Sequence, residues 1–225
     1  MSESSTRRRV ILMVGTRKGA FMLHGDADRG EWRIDGPHFL GHIVNHLMLD
    51  PRDQRTMLMA SKTGHLGPTI FRSTDAGATW HEVERPPAFP KAAPEQRAFA
   101  VEHTFALCPG HHSERDTWYA CTCPPGLFRS EDGGESWQPI AGWNEHPNYL
   151  KWNNPDAGTP DGAMTQWMTI DPRDASHLYM VTSEGGVFET NDTAATWRPL
   201  NRGVEAIFLP DPYPETGQDT HCLRL

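Results

Sequence analysis

The chain has 225 residues, with 20 glycines, 19 prolines, 37% hydrophobic residues and a formal net charge of −8. The acidic balance argues against a broad nucleic-acid surface, and no apolar run reaches the length of a membrane crossing. Turn residues at this density suit many short strands better than long helices.

Residues 1–9 carry Arg7-Arg8-Arg9 and read as a disordered start. The apolar run from Val10 to Val14 is too short for a signal peptide, and four cysteines do not make a disulfide framework, so a cytoplasmic setting is expected. Val10–Val14, Ala20–Leu23 and Trp32–Ile34 then read as three strands of a first unit, residues 10–36, that lacks a first strand of its own. The second unit, 42–86, runs through Leu49-Asp50-Pro51, Met57–Ala60 and Ile70–Arg72. The third, 101–141, runs through Leu107-Cys108-Pro109, Trp118–Ala120 and Leu127–Arg129. The fourth, 164–201, runs through Ile170-Asp171-Pro172, Leu178–Met180 and Val187–Glu189. After a long loop, His221–Leu225 reads as the first strand of another unit.

One turn recurs in the last three units. Ser73-Thr74-Asp75-Ala76-Gly77-Ala78-Thr79-Trp80 is repeated as Ser130–Trp137 and, more loosely, as Thr190–Trp197, with the tryptophans 57 and 60 residues apart. A repeat of that length containing four strand signals is the pattern of a β-propeller blade. The reading is therefore all-β: one propeller domain over 10–225, with about four blades and the opening strand of a fifth at 219–225. Closed rings take about four to eight blades, and the strand left over points to an incomplete ring, the alternative being a tight four-bladed ring closed by that last strand. The box is a folding device. Its carboxylates (Asp75, Asp132, Asp192) can accept backbone N–H groups, and its glycines (Gly77, Gly134) can supply positive φ. The Ser73 and Ser130 hydroxyls can tie the turn together, and Trp80, Trp137 and Trp197 can bury their rings between sheets. Ala194 stands where the other copies have glycine, so that turn must be looser or built differently.

Antiparallel geometry places the boxes on one face. The turns at 16–19, 61–68, 122–125 and 183–186, with the long crossings, fall on the other, where a site is expected. Aligning the first strands by Leu49, Leu107, Ile170 and Leu225 makes Asn45, His103, Gln166 and His221 a polar ring, above Leu47, Phe105, Met168 and Leu223. His42, His46 and Glu102 lie nearby, and Arg17, Lys18 and Lys62 add positive charge. The crossing from Gly142 to Asn154 carries Trp143, Tyr149, Lys151 and Trp152. It reads either as a platform for a polar ligand or as a loop packed over the channel mouth. His103, Cys108, His111, His112, Cys121 and Cys123 lack the spacing of a structural zinc site, and no phosphate loop, nucleophile elbow or HExxH motif is present. Neither a metal nor a cofactor is expected.

The box copies resemble the Asp-box (BNR) repeats of sialidases and sortilin-type propellers. Gly15-Thr16-Arg17-Lys18-Gly19, Leu49-Asp50-Pro51-Arg52-Asp53, Gly126-Leu127-Phe128-Arg129-Ser130 and Asn201-Arg202-Gly203-Val204 are similar to a group of bacterial sialidase-like and glycosyl-hydrolase-like BNR proteins. That resemblance implies a cytosolic propeller. It also implies that this chain is the N-terminal portion of a longer one, since members of the group continue with further blades. The sialidase chemistry does not carry over: Arg33-Ile34 is followed by Asp35 rather than proline, and no tyrosine–glutamate pair can be assigned. The expected function is binding of a carbohydrate, another small polar or anionic ligand, or a partner at the loop-rich face, with self-association through the open ring edge. The alternative is a glycoside hydrolase, exo-α-sialidase-like, drawing on Glu102, His103, Glu145, His146, Tyr149 and Asp161. A non-functional truncated gene fragment is the third reading.

Overall fold

A computed structural model of the chain describes residues 10–93, 97–154 and 162–225. The expectation for residues 1–9, and Asp161, lie outside these. The described residues form four antiparallel sheets, arranged as an unclosed propeller. The first contains β1 (Val10–Thr16), β2 (Gly19–Gly25) and β3 (Trp32–His38). The second contains β4 (Ile43–Leu49), β5 (Met57–Thr63), β6 (Gly67–Ser73) and β7 (His81–Glu82). The third contains β8 (His103–Pro109), β9 (Trp118–Cys123), β10 (Gly126–Ser130) and β11 (Gln138–Pro139). Two short helices, α1 (Ala141–Asn144) and α2 (Tyr149–Trp152), lead to the fourth: β12 (Thr165–Ile170), β13 (Leu178–Thr182), β14 (Gly186–Thr190) and β15 (Arg198–Pro199). In each sheet consecutive strands are neighbours.

Alternation along the strands builds the core between sheets rather than within them. Ala20 and Met22 meet Val44, Met57 and Met59 between the first two sheets. Leu58, Ala60 and Ile70 meet Trp118, Ala120 and Phe128 between the second and third. Tyr119, Cys121 and Leu127 meet Leu178, Met180 and Phe188 between the third and fourth. Each sheet thus presents one set of side chains backward and the next set forward.

The box is the turn it was read to be. Ser73 Oγ accepts from the N–H of Gly77 at 2.9 Å and donates to Asp75 Oδ1 at 2.7 Å, while Asp75 accepts from the N–H and hydroxyl of Thr79 at 2.8 and 2.6 Å. Ser130 and Asp132 repeat this, as do Thr190 and Asp192. Gly77 and Gly134 have φ of 91° and 95°, and Ala194 adopts the same left-handed region at 68°. The looser sequence is therefore built with the same backbone, at the cost of placing an L side chain where glycine is favoured.

Two expectations are corrected. Residues 219–225 form no strand, because no neighbouring sheet offers them a ladder; instead Arg224 lies over the Trp167 ring, 4.6 Å from its centroid. The register of the third sheet is also displaced by two residues. Leu49, Pro109 and Ile170 pair with Met57, Trp118 and Leu178, so Pro109 and not Leu107 is the counterpart of Leu49. Gly110 therefore holds the place of Asp50 and Asp171, its N–H donating to the Thr117 carbonyl at 2.8 Å as theirs donate to Thr56 and His177.

Candidate functional site

The displaced register rebuilds the mouth of the channel. Each first strand carries a β-bulge at the same height, between Val44 and His46, between Thr104 and Ala106, and between Thr165 and Trp167. The extra residues are Asn45, Phe105 and Gln166. A bulge bends its strand and re-aims the unpaired residue, a device common beside sites. Equivalence therefore runs Asn45–Phe105–Gln166, with His103 two residues higher and level with Ile43. His221, outside any strand, does not join the ring; it is exposed and sits 3.3 Å from Asp219.

At this end of the channel is a cavity of about 490 Å³ lined by Thr16, Arg17, Asn45, Lys62, His103 and Phe105, together with Gly15, Ile43, Val44 and Met164. Arg17 comes from the β1–β2 turn, Lys62 from the end of β5, and His103 from the start of β8. The cavity is thus assembled from three sheets by residues far apart in sequence. Neither Arg17 nor Lys62 has an acidic partner among the described residues, and no carboxylate lines the cavity. Arg17 and Lys62 thus make the charged lining of the cavity positive although the chain is acidic overall.

The other sequence candidates are placed elsewhere. Lys18 is exposed in its turn, its N–H donating to Thr16 Oγ1 at 3.0 Å. His42 Nδ1 is 3.0 Å from Ser61 Oγ, and its ring packs on Phe39 and Phe71. His46 Nδ1 accepts the Leu107 N–H at 3.1 Å, with Trp167 edge-on to its ring, and burial lowers its pKa to about 4. It is a neutral strut between β4 and β8. Gln166 is buried beside the cavity without lining it. Glu102 and Glu145 are exposed.

The aromatic crossing forms no platform. Trp143, Tyr149 and Trp152 are all buried, clustered with Phe188 and Trp197 in the core between the last two sheets. The Tyr149 hydroxyl donates to the Pro125 carbonyl, and burial raises its pKa, so it is poorly placed to act as a nucleophile. His146 stacks on Trp152, and desolvation by burial lowers its pKa. Lys151 pairs with Glu215 at 2.8 Å. The rings went inward because a wide gap between two sheets needed filling, and tryptophan removes the most apolar surface per residue.

The metal-type residues fall into separate pairs: His103 is opposite Cys123 in the β8–β9 ladder, and the His111 and His112 rings lie 3.9 Å apart. His111 Nε2 is 3.1 Å from the Pro172 carbonyl, while Cys108 and Cys121 are buried in the core. Among the described residues no group of three or more His, Cys, Asp or Glu is arranged to hold a metal. A second cavity of about 320 Å³ lies at the other end of the first strands, between Met48, Leu107, Met168 and Trp167, with Arg52, His111 and His112 at its edge. It is mainly apolar.

Phe105 and the bulges were missed in the sequence. The one signal for Phe105 was the change from Asp50-Pro51 to Cys108-Pro109-Gly110, where proline closes the strand instead of following its end by two residues.

Comparison with known proteins agrees with the architecture. Over 166 residues the chain is 27% identical to a protein of Neosartorya fischeri described as a probable oligoxyloglucan-reducing end-specific xyloglucanase, a match covering 66% of this chain and 19% of that one. The GH74 xyloglucanase of Xanthomonas campestris superposes with a TM-score of 0.60 at 16% identity, covering 86% of this chain and 29% of that one. The GH74 enzyme of Niastella koreensis superposes at 0.53 and 18%, covering 93% and 29%. No family model matches the chain. At these identities the likeness establishes a fold: the chain is of the β-propeller class. It spans about a fifth of the curated relative's length and under a third of each of the two enzymes.

Proposed function

We propose that the chain is a binding module for an anionic carbohydrate, held at the loop-rich mouth of the channel. The observation that carries this is the cavity in which Arg17, Lys62 and His103 surround Asn45 and the exposed Phe105 ring. Cationic groups suit a carboxylate or sulfate on the sugar, the amide suits its hydroxyls, and the ring offers an apolar face. Hydrolysis by the usual route needs two carboxyl groups flanking the scissile bond. The cavity is lined by none, which favours binding over turnover.

A glycoside hydrolase is the second reading. It is favoured by the xyloglucanase descriptions of the similar proteins, although this chain matches only a minor part of them. Calorimetric titration separates the two. An oligogalacturonate is expected to bind the wild-type chain, with affinity falling as salt is added, and Arg17→Ala/Lys62→Ala is expected to weaken binding by about tenfold or more. Equal binding of a neutral xyloglucan oligosaccharide by the wild type and the double variant, or release of reducing ends from it, would overturn the proposal in favour of the second reading.

A further inference from the structure

The two ends of the open ring carry complementary unfinished parts. In the first sheet, β1 hydrogen-bonds to β2 alone, leaving a seven-residue inner edge unpaired among the described residues. Met13 and Met22 face the second sheet, so alternation turns Leu12, Leu23 and Ile34 the other way, where they form one cross-strand row. Leu12 and Ile34 are 50% and 65% exposed. A free edge beside an apolar face is a template for another strand and sheet.

At the far end, the fourth sheet repeats an arrangement that elsewhere joins one sheet to the next. Arg52 is anchored on Asp50 through Nε and Nη2 at 2.8 and 2.7 Å, which leaves Nη1 to donate to the Glu114 and Thr117 carbonyls of the third sheet at 2.7 and 3.0 Å. Arg173 is anchored on Asp171 in the same way, at 2.9 and 2.7 Å. Yet the Arg173 side chain is 85% exposed where that of Arg52 is 7% exposed. A following sheet would meet it here.

The segment Asp219–Leu225 lies beside this face. Burial raises the pKa of Glu184, in the β13–β14 turn, and the nearby Asp219 charge adds to it. Arg224 covers the Trp167 ring of β12. The segment thus runs from the loop-rich face toward the box face, the direction of β4, β8 and β12 and opposite to β1. Its length also matches β1.

We propose that two copies of this chain join head to tail into one eight-bladed ring, Asp219–Leu225 of each copy pairing with β1 of the other as the missing first strand. Eight blades is within the range of closed propellers, and closure after two copies removes both free edges. Multi-angle light scattering of the full chain at high micromolar concentration should give one species of twice the 25.3 kDa chain mass. Leu223→Pro removes a backbone donor outside all three cores and should halve the mass, with the far-ultraviolet circular dichroism unchanged. Leu12→Lys, on the exposed face, should do the same. A wild-type monomer, an open-ended series of oligomers, or a dimer indifferent to both substitutions would overturn the proposal.

Discussion

Trp137 and Trp197 close equivalent turns but are not equally satisfied. Trp137 Nε1 donates to the Gly134 carbonyl at 3.0 Å, whereas Trp197 Nε1 is buried with no partner among the described residues. The third box therefore keeps the backbone of the first two but not all their bonds, in line with its looser sequence. The box aspartates also set an acid limit. Side-chain and backbone donors from Thr79 hold the Asp75 pKa at about 2, and Asp132 and Asp192 are lowered by similar bonds. A depressed carboxylate stabilises the fold fully above its unfolded pKa and loses that contribution as pH falls through the folded value. His46 acts in a higher window. Its folded pKa of about 4 lies below the ordinary 6.5, so between these values the unfolded chain binds a proton that the folded chain does not. Denaturant titrations across pH should show stability declining in two stages, from about pH 6.5 to 4 and again from about 4 to 2. His46→Gln should flatten the first stage and Asp75→Asn the second. An unaltered profile in both variants would contradict these assignments.

At the scale of elements, short loop amides complete the sheets. Asn144 Oδ1 accepts the Leu127 N–H at 3.0 Å and its Nδ2 donates to the Leu127 carbonyl at 2.8 Å. Asn201 accepts the equivalent N–H, that of Val187, at 2.7 Å and donates to Gly185 at 2.8 Å. Each amide stands in for a strand residue at the outer edge of β10 or β14, where β11 and β15 are only two residues long. Asn144→Ala leaves the buried Leu127 N–H unpaired, while the Leu127 carbonyl keeps the Ile140 N–H at 3.0 Å, and should destabilise the chain by about 2 kcal/mol in chemical denaturation. A change within error would show that water replaces the amide. Asn144 did not stand out in the sequence and Asn201 did so only within Asn201-Arg202-Gly203-Val204, because their partners lie 17 and 14 residues away. The strands themselves were legible, since period-two alternation between glycine-rich turns has few other solutions. The third first strand was misaligned by two residues because proline follows both Asp50 and Cys108, and only the paired strand β9 fixes where β8 ends.

For the molecule as a whole, the repeat count gave the open propeller directly, and strand direction gave the face on which Arg17, Lys62, Asn45 and His103 come together. The chemistry within that face was harder to read. Trp143, Tyr149 and Trp152 looked like ligand-binding rings, and nothing local distinguishes a ring that stacks on a sugar from one that fills a gap between sheets. Phe105, the ring that does face the cavity, was assigned to the apolar layer below. Methionine methyls offer a direct test of the location, since Met164 lines the loop-face cavity and Met48 the opposite one. In a methyl-labelled sample titrated with oligogalacturonate, the Met164 resonance should shift in a saturable way while Met48 stays fixed. A saturable shift of Met48 with Met164 unmoved, or no shift of either, would contradict a binding site at the loop-rich mouth.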